Sequence, residues 1–122
     1  MKFYYNDKLV RTSANHMYTH AVIDVRTGKV IGCRSSEQTA HSVISSEISG
    51  QRGNIKGTQV LMKAIEQKKK MYRCTLGNRS WYEPVTKEDS IEKCLEWIKY
   101  HEDRIKYIQE NWKVVKLEAR EA

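Results

Sequence analysis

The spacing of apolar residues in the last third of the chain predicts one long helix over residues 87–112. Pro84 closes the preceding segment, and Thr86 with Asp89 three residues later has the form of a capping box, a pairing typical of a helix N-terminus. One arc of this helix is apolar at helical spacing and is predicted to face the core. The arc consists of Ile91, Leu95, Ile98, Ile105, Ile108 and Trp112.

A second stripe on the same predicted helix mixes aromatic rings with cations. Its members are Lys93, Trp97, Tyr100, Arg104 and Tyr107. A helix of a monomer needs only one apolar stripe, so this one indicates a further partner. That partner is either a second copy of the helix or a flat anionic ligand such as a nucleotide. The alternative is that the rings simply cover the edge of a sheet.

Short runs of alternating or β-branched residues, separated by turn residues, predict three hairpins. Each turn contains residues that tolerate positive φ: Asn6-Asp7 in the first, Gly28 in the second and Gly77-Asn78 in the third. The paired runs are residues 3–5 with 8–11, 18–25 with 29–34, and 71–76 with 79–83.

Helical spacing also predicts helices over residues 35–49 and 58–70, with Ser35 and Gln38 as a capping box. Between them, residues 50–57 read GQRGNIKG, which predicts a flexible basic loop. This loop is either a plain connector or a phosphate-binding site at a helix N-terminus, although its spacing matches no known phosphate-binding fingerprint. A short strand over 114–117 is expected, with the chain fraying beyond it.

Together these elements predict an α+β fold: a small antiparallel sheet of consecutive hairpins with helices packed on it, including one long C-terminal helix. At 122 residues the chain is expected to form a single domain, 1–122. Its formal net charge of +7 is spread along the chain, which favours an anionic partner held in pockets.

The reactive side chains show no catalytic or metal-binding spacing. Cys33, Cys74 and Cys94 are an odd number without a CxxC pair, which argues against disulfides or zinc and for a reducing cytosol. The four histidines fit no metal motif. No apolar run approaches the length of a membrane span. We therefore expect an intracellular, soluble protein that is not an enzyme and holds no metal or cofactor.

Aromatic and cationic side chains that lie near one another in the sequence supply the chemistry that an adenine nucleotide requires. Bases stack on aromatic rings or guanidinium groups, and phosphates take forked Arg or backbone amides. The predicted helix carries Tyr100, Arg104 and Tyr107, and the third hairpin adds Trp81 and Tyr82.

Four segments resemble the phage-encoded anti-Thoeris sponge proteins, and the likeness covers essentially the whole chain. They are FYYNDKLVRTS (3–13), YTHAVID (18–24), TGKVIGCRSS (27–36) and WYEP (81–84). The resemblance implies a non-enzymatic sponge that binds glyco-cyclic ADP-ribose signals from bacterial TIR-domain enzymes and leaves them intact. It also implies homo-oligomers built from dimers, with a hexamer expected and with ligand pockets at subunit interfaces. A further site for cyclic oligonucleotides and a location in the host bacterial cytoplasm are implied as well.

With that ligand class, the candidate residues take specific roles. Arg104 is expected to clamp or stack on the ligand, and a base is expected between Tyr82, Tyr100 and Tyr107. Lys99 or Arg73 is expected to meet phosphate, and Arg26 is the candidate for a second site on an oligomer axis. Two alternatives stay open: a small basic protein that binds single-stranded nucleic acid, and a protein–protein inhibitor without a small ligand.

Overall fold

The computed structural model describes residues 1–121 and has the predicted α+β class, with two helices and eight strands in small antiparallel sheets. The elements in chain order are β1 (Lys2–Tyr5), β2 (Lys8–Thr12), β3 (His20–Asp24), β4 (Val30–Arg34), α1 (Glu37–Glu66), β5 (Met71–Leu76), β6 (Arg79–Pro84), α2 (Ile91–Asn111), β7 (Trp112–Lys116) and β8 (Glu118–Arg120).

The chain divides into two compact units, which are described separately below. The first unit contains Met1–Ile48 and the segment from Lys106 to the C-terminus, and the second contains Ser49–Ile105. Both helices contribute residues to both units. Within the described residues, neither helix combines the length and apolarity that crossing a bilayer requires.

The first unit holds two three-stranded antiparallel sheets, ordered β2-β1-β8 and β4-β3-β7. Asn6 and Asp7 turn the first hairpin with φ of 50° and 60°, and Gly28 has φ of 76° in the second. Both hairpins were predicted from these residues and are confirmed, because short polar side chains and glycine tolerate the left-handed region.

The C-terminal segment does not fray where the sequence predicted. Glu118–Arg120 forms β8, which pairs with β1, so the expectation of a loose end after residue 117 is wrong. The Arg120 guanidinium lies 2.6 Å from the Asp7 carboxylate and 4.2 Å from the Tyr4 ring centroid. These partners lie more than a hundred residues away in the chain, which is why local patterning does not reveal them.

Strand β3 is central to the core of the first unit because both of its faces are buried. Ala21 and Ile23 belong to one cluster with Phe3 and Leu117, while Val22 packs in another with Ala40, Ile108 and Trp112. Burying a side chain such as Phe or Ile contributes about 1.5–3 kcal/mol, so these two clusters are the main source of stability in this unit.

Helix α1 runs without interruption through the segment predicted to be a glycine-rich loop. Residues 50–57 are helical, so the predicted loop and its division of the helix are wrong. The helix begins after Ser36, whose Oγ accepts the Thr39 amide at 3.1 Å, and ends where Lys68 adopts φ of 54°. Each interior glycine costs up to about 1 kcal/mol, which lowers the stability of a helix without ending it.

Helix α2 begins at Ile91, later than predicted, because Ser90 supplies the cap. The Ser90 Oγ accepts the Lys93 amide at 3.1 Å, whereas Asp89 accepts the Thr86 amide at 2.7 Å within the preceding turn. The buried positions also differ from the predicted arc. They include Cys94 and His101, whereas Leu95, predicted to lie in the core, is 54% exposed. Trp112 is buried but begins β7.

Candidate functional site

The second unit buries few of its side chains. Among its described residues, Ala64, Cys94 and His101 are the ones classed as buried. It carries most of the large apolar side chains that the described chain exposes: Val60, Met71, Leu76, Trp81, Tyr82, Leu95, Trp97 and Tyr100. Where exposed apolar side chains of this kind form a contiguous patch, they mark binding or association sites.

A cavity of about 550 Å³ lies within the second unit, between α1, the β5–β6 hairpin and the start of α2. Its size falls in the range of small-molecule sites, about 300–1,000 Å³. Aromatic side chains line it from the hairpin and from α2, namely Tyr72, Trp81 and Trp97. Helix α1 contributes Gly53 and Gly57 to the same lining. The walls therefore combine aromatic rings with a helix that lacks side chains at two of its lining positions.

Strand register decides which ring of the hairpin faces the cavity. Cys74 pairs with Trp81 and Arg73 pairs with Tyr82, and successive side chains of a strand point to opposite faces. Trp81 therefore lies on the Cys74 face and Tyr82 on the opposite one. Arg73 borders the cavity, and its guanidinium donates to Ser80 Oγ at 3.2 Å. The Trp81 indole nitrogen donates to Glu83 at 2.9 Å.

The polar groups around the cavity include hydroxyl, thiol and ammonium groups. Thr58, Ser90 and Lys93 line it and offer hydroxyl and ammonium groups. Burial raises the pKa of the Tyr72 hydroxyl, so it stays a neutral donor at neutral pH. Burial also raises the pKa of the Cys94 thiol, with a smaller contribution from the Asp89 carboxylate, and a protonated thiol is a weak nucleophile.

A cluster of rings on α2 adjoins this cavity through Trp97. The Trp97 and Tyr100 rings stack with centroids 5.3 Å apart and an interplanar angle of 14°. The buried His101 ring meets both of them edge to face, at 4.8 Å and 5.2 Å. His101 Nδ1 bonds to the Gln51 side-chain oxygen of α1. A buried histidine anchored in this way fixes the positions of the two exposed rings.

The opposite face of the hairpin carries a smaller groove of about 300 Å³. Lys63 and Lys69 line it together with Tyr82 and the Arg73 strand. The groove therefore combines positive side chains with one exposed ring.

The structure separates the residues that the sequence predicted as one binding set. Trp81 borders the large cavity and Tyr100 stacks on its neighbour Trp97, whereas Tyr82 and the Arg73 guanidinium lie on the other hairpin face. Lys99 is exposed and lies 3.1 Å from the Asp103 carboxylate. Arg104 is half-buried on α2.

The two remaining predicted residues, Arg26 and Tyr107, lie in the first unit. The Tyr107 hydroxyl donates to Asp24 at 2.7 Å, and the Arg26 guanidinium lies 5.9 Å from the Tyr107 ring centroid. Tyr107 therefore holds the β3–β4 loop through Asp24, a structural role that the sequence did not suggest.

Several cavity residues were absent from the predicted set: Gly53, Gly57, Thr58, Ser90 and Lys93. Lys93 was recognised in the aromatic stripe but not assigned to a site. The glycines are four residues apart, which is one helical turn, and that spacing was the available signal. It was missed because three glycines in eight residues predict a loop.

Comparison with known proteins leaves the resemblance untested: no protein-family model, no curated protein and no solved structure matches this chain. Among residues 1–121, no group of three or more histidine, cysteine or acidic side chains is placed to hold a metal ion.

Proposed function

We propose that this protein binds a cyclic ADP-ribose-type signal nucleotide and sequesters it without chemical change. By the resemblance given above, it would thereby block TIR-based anti-phage defence in the host bacterial cytoplasm. The observation that carries the proposal is the cavity of the second unit, where Trp81, Trp97 and Tyr72 lie close to the hydroxyl and ammonium groups of Thr58, Ser90 and Lys93.

The cavity chemistry matches the two parts of such a ligand. Stacking on an aromatic ring contributes about 1–3 kcal/mol per base in nucleic-acid complexes. Lys93 lies in the first turn of α2, where the helix dipole also favours negative charge, so its ammonium is the proposed phosphate contact, although the Asp89 carboxylate lines the same cavity. Nanomolar affinity corresponds to about −12 kcal/mol, which requires both kinds of contact and a preformed pocket.

The exposed apolar surface of the second unit supports assembly into homo-oligomers. Leu76, Leu95 and Tyr100 are each more than half exposed, and burying such side chains against a second copy would contribute about 1.5–3 kcal/mol for each fully covered residue. Assembly of this kind would also cover the rings that border the cavity, which favours slow ligand release.

Isothermal titration with a glyco-cyclic ADP-ribose tests the proposal directly. Trp81→Ala removes a cavity ring and is expected to weaken binding roughly 5- to 150-fold. Tyr82→Ala is the matched control, since it removes the adjacent ring from the opposite hairpin face and is expected to leave Kd unchanged. Absence of binding by the unmodified protein would remove the proposed function.

Two further measurements define the mode of binding. Heating the complex and measuring the mass of the released molecule should recover the intact nucleotide, whereas an enzyme would release a product.

Arg104→Ala tests the predicted clamp, and an unchanged Kd would remove Arg104 from the site.

The groove beside Tyr82 favours a second candidate function, binding of single-stranded nucleic acid. Lys63, Lys69 and Tyr82 supply the cations and the ring that such surfaces use. This function predicts an oligonucleotide complex that weakens steeply with salt and is lost in Lys63→Gln/Lys69→Gln. A gel shift at two salt concentrations tests this function. The two lysine changes separate it from the first proposal, because the cavity does not include these lysines.

A further inference from the structure

Helix α1 contains three interior glycines that its own structure does not require. Gly50, Gly53 and Gly57 all lie within Glu37–Glu66 and have none of the positive φ values found at Gly28 and Gly77. A Cβ added at any of the three would meet no atom within 4 Å. Neither backbone conformation nor packing within the chain therefore explains them, although each costs up to about 1 kcal/mol relative to alanine.

Two of these glycines face the cavity and the third does not. Gly53 and Gly57 belong to its lining, whereas Gly50, one turn earlier on the same helix, lies outside it. The cavity defines the site, and the glycines determine the shape of one wall. Asn54, Thr58 and Leu61 also line the cavity from α1, and at the two glycine positions the helix presents only its backbone.

The exposed helix backbone at Gly53 and Gly57 restricts what can lie against it. Interior amides of an α-helix donate to carbonyl groups four residues earlier, so they are not available to phosphate. At Gly53 and Gly57 the helix therefore presents Cα–H groups and peptide planes, which suit the face of a flat ring. This differs from a phosphate seat in a glycine-rich loop, which depends on free amides at a helix N-terminus.

We infer that Gly53 and Gly57 are specificity-determining residues that seat the planar base of the ligand face-on against α1, with the ligand phosphates directed to Lys93. This inference rests on the proposed function and adds the orientation of the ligand. The base lies between the helix backbone and the aromatic rings of the cavity, and the side chains of larger residues at positions 53 or 57 would occupy its place.

The decisive variants are Gly53→Ala and Gly57→Ala, with Gly50→Ala as the matched control. All three are expected to raise Tm, by about 2–6 °C each, because alanine favours the helix and no atom opposes the added methyl group. Binding of glyco-cyclic ADP-ribose should weaken roughly tenfold or more in the two cavity variants, since overpacking a fitted site is costly. Gly50→Ala should bind as the unmodified protein does.

Salt dependence of Kd tests the orientation. Lys93→Gln removes the proposed phosphate contact, so its Kd should depend less on salt, whereas Gly57→Ala should weaken binding without changing the salt dependence. A reduced salt dependence in Gly57→Ala would place phosphate over the glycines and overturn the inferred orientation.

The outcomes separate this inference from the proposed function. If the unmodified protein binds the nucleotide and both cavity variants bind equally well, the inference fails and the proposed function stands. If the unmodified protein does not bind, both fail. A loss of oligomer mass in Gly53→Ala or Gly57→Ala would show that a second copy of the chain occupies this wall, which also overturns the inference.

Discussion

At the scale of single residues, Asp24 shows how one buried carboxylate organises a loop. Its Oδ2 accepts the Tyr107 hydroxyl at 2.7 Å, and its Oδ1 accepts the Arg26 and Thr27 amides at 3.0 Å and 3.3 Å. The hydrogen bond from Tyr107 lowers the pKa of Asp24 most, and the loop amides add to it against the opposing effect of burial. Its folded pKa is therefore below its unfolded pKa.

Tyr107→Phe is expected to lower Tm by about 5 °C, because it removes one hydrogen bond to a charged acceptor and little volume. It should also change the pH dependence of stability. The stabilisation from ionised Asp24 is present above its unfolded pKa, near pH 4, and is lost as pH falls through the lower folded pKa. Thermal unfolding at successive pH values should show that Tm falls less at acid pH in Tyr107→Phe than in the unmodified protein. Parallel curves would contradict this account.

At the scale of elements, the start of α1 shows how closely capping signals compete. Ser35 and Ser36 are adjacent, and the sequence favoured Ser35 with Gln38. The structure uses Ser36, whose Oγ accepts the amide of Thr39, while the Thr39 hydroxyl returns a bond to the Ser36 carbonyl oxygen at 3.1 Å. Ala40, Val43, Ile44 and Ile48 pack in the second core cluster, so the one-residue change of cap does not change which side chains of α1 face the core.

Ser36→Ala is expected to lower the free energy of unfolding by about 1 kcal/mol, since an N-cap hydroxyl is lost and the first amides of α1 are left without that acceptor. Ser35→Ala is the matched control and should change stability by less than about 0.5 kcal/mol, because Ser35 is exposed. Urea denaturation of both variants measures the difference. Equal losses would show that both serines share the cap.

At the scale of the whole molecule, buried apolar surface is unevenly distributed between the two units. Both core clusters lie in the first unit, and the second exposes the larger share of the large apolar side chains in the described chain. A folded segment of this size normally buries a core of its own or completes one by association. This contrast is the physical basis for expecting homo-oligomers.

Leu95→Glu is expected to shift the protein towards monomers in light scattering coupled to size-exclusion chromatography. The added charge would be buried without a partner in an interface formed by the second unit. Leu9→Glu is the control, since Leu9 in the first unit has the same 54% exposure as Leu95. If both variants keep the mass of the unmodified protein, or if that protein is itself monomeric, the expected interface does not exist.

The sequence by itself was sufficient for the hairpins, the α+β class and the presence of a long late helix. These features depend on interactions between near neighbours: Asn6-Asp7 and Gly77-Asn78 determine turns locally, and apolar spacing determines helical faces. It was also sufficient to recognise Trp81 and the α2 stripe as unusual, because exposed rings beside cations are visible in the residue pattern alone.

Only the tertiary structure decided the continuity of α1, the pairing of β8 and the composition of the cavity. Glycine propensity favours a loop at 50–57, but helix propagation on both sides outweighs it. Whether Trp81 or Tyr82 faces the cavity depends on which hairpin face packs against the helices, and alternation in sequence is the same for either choice. Gly53 and Trp97 line the same cavity because the fold brings their helices together, a proximity of distant residues that local spacing does not encode.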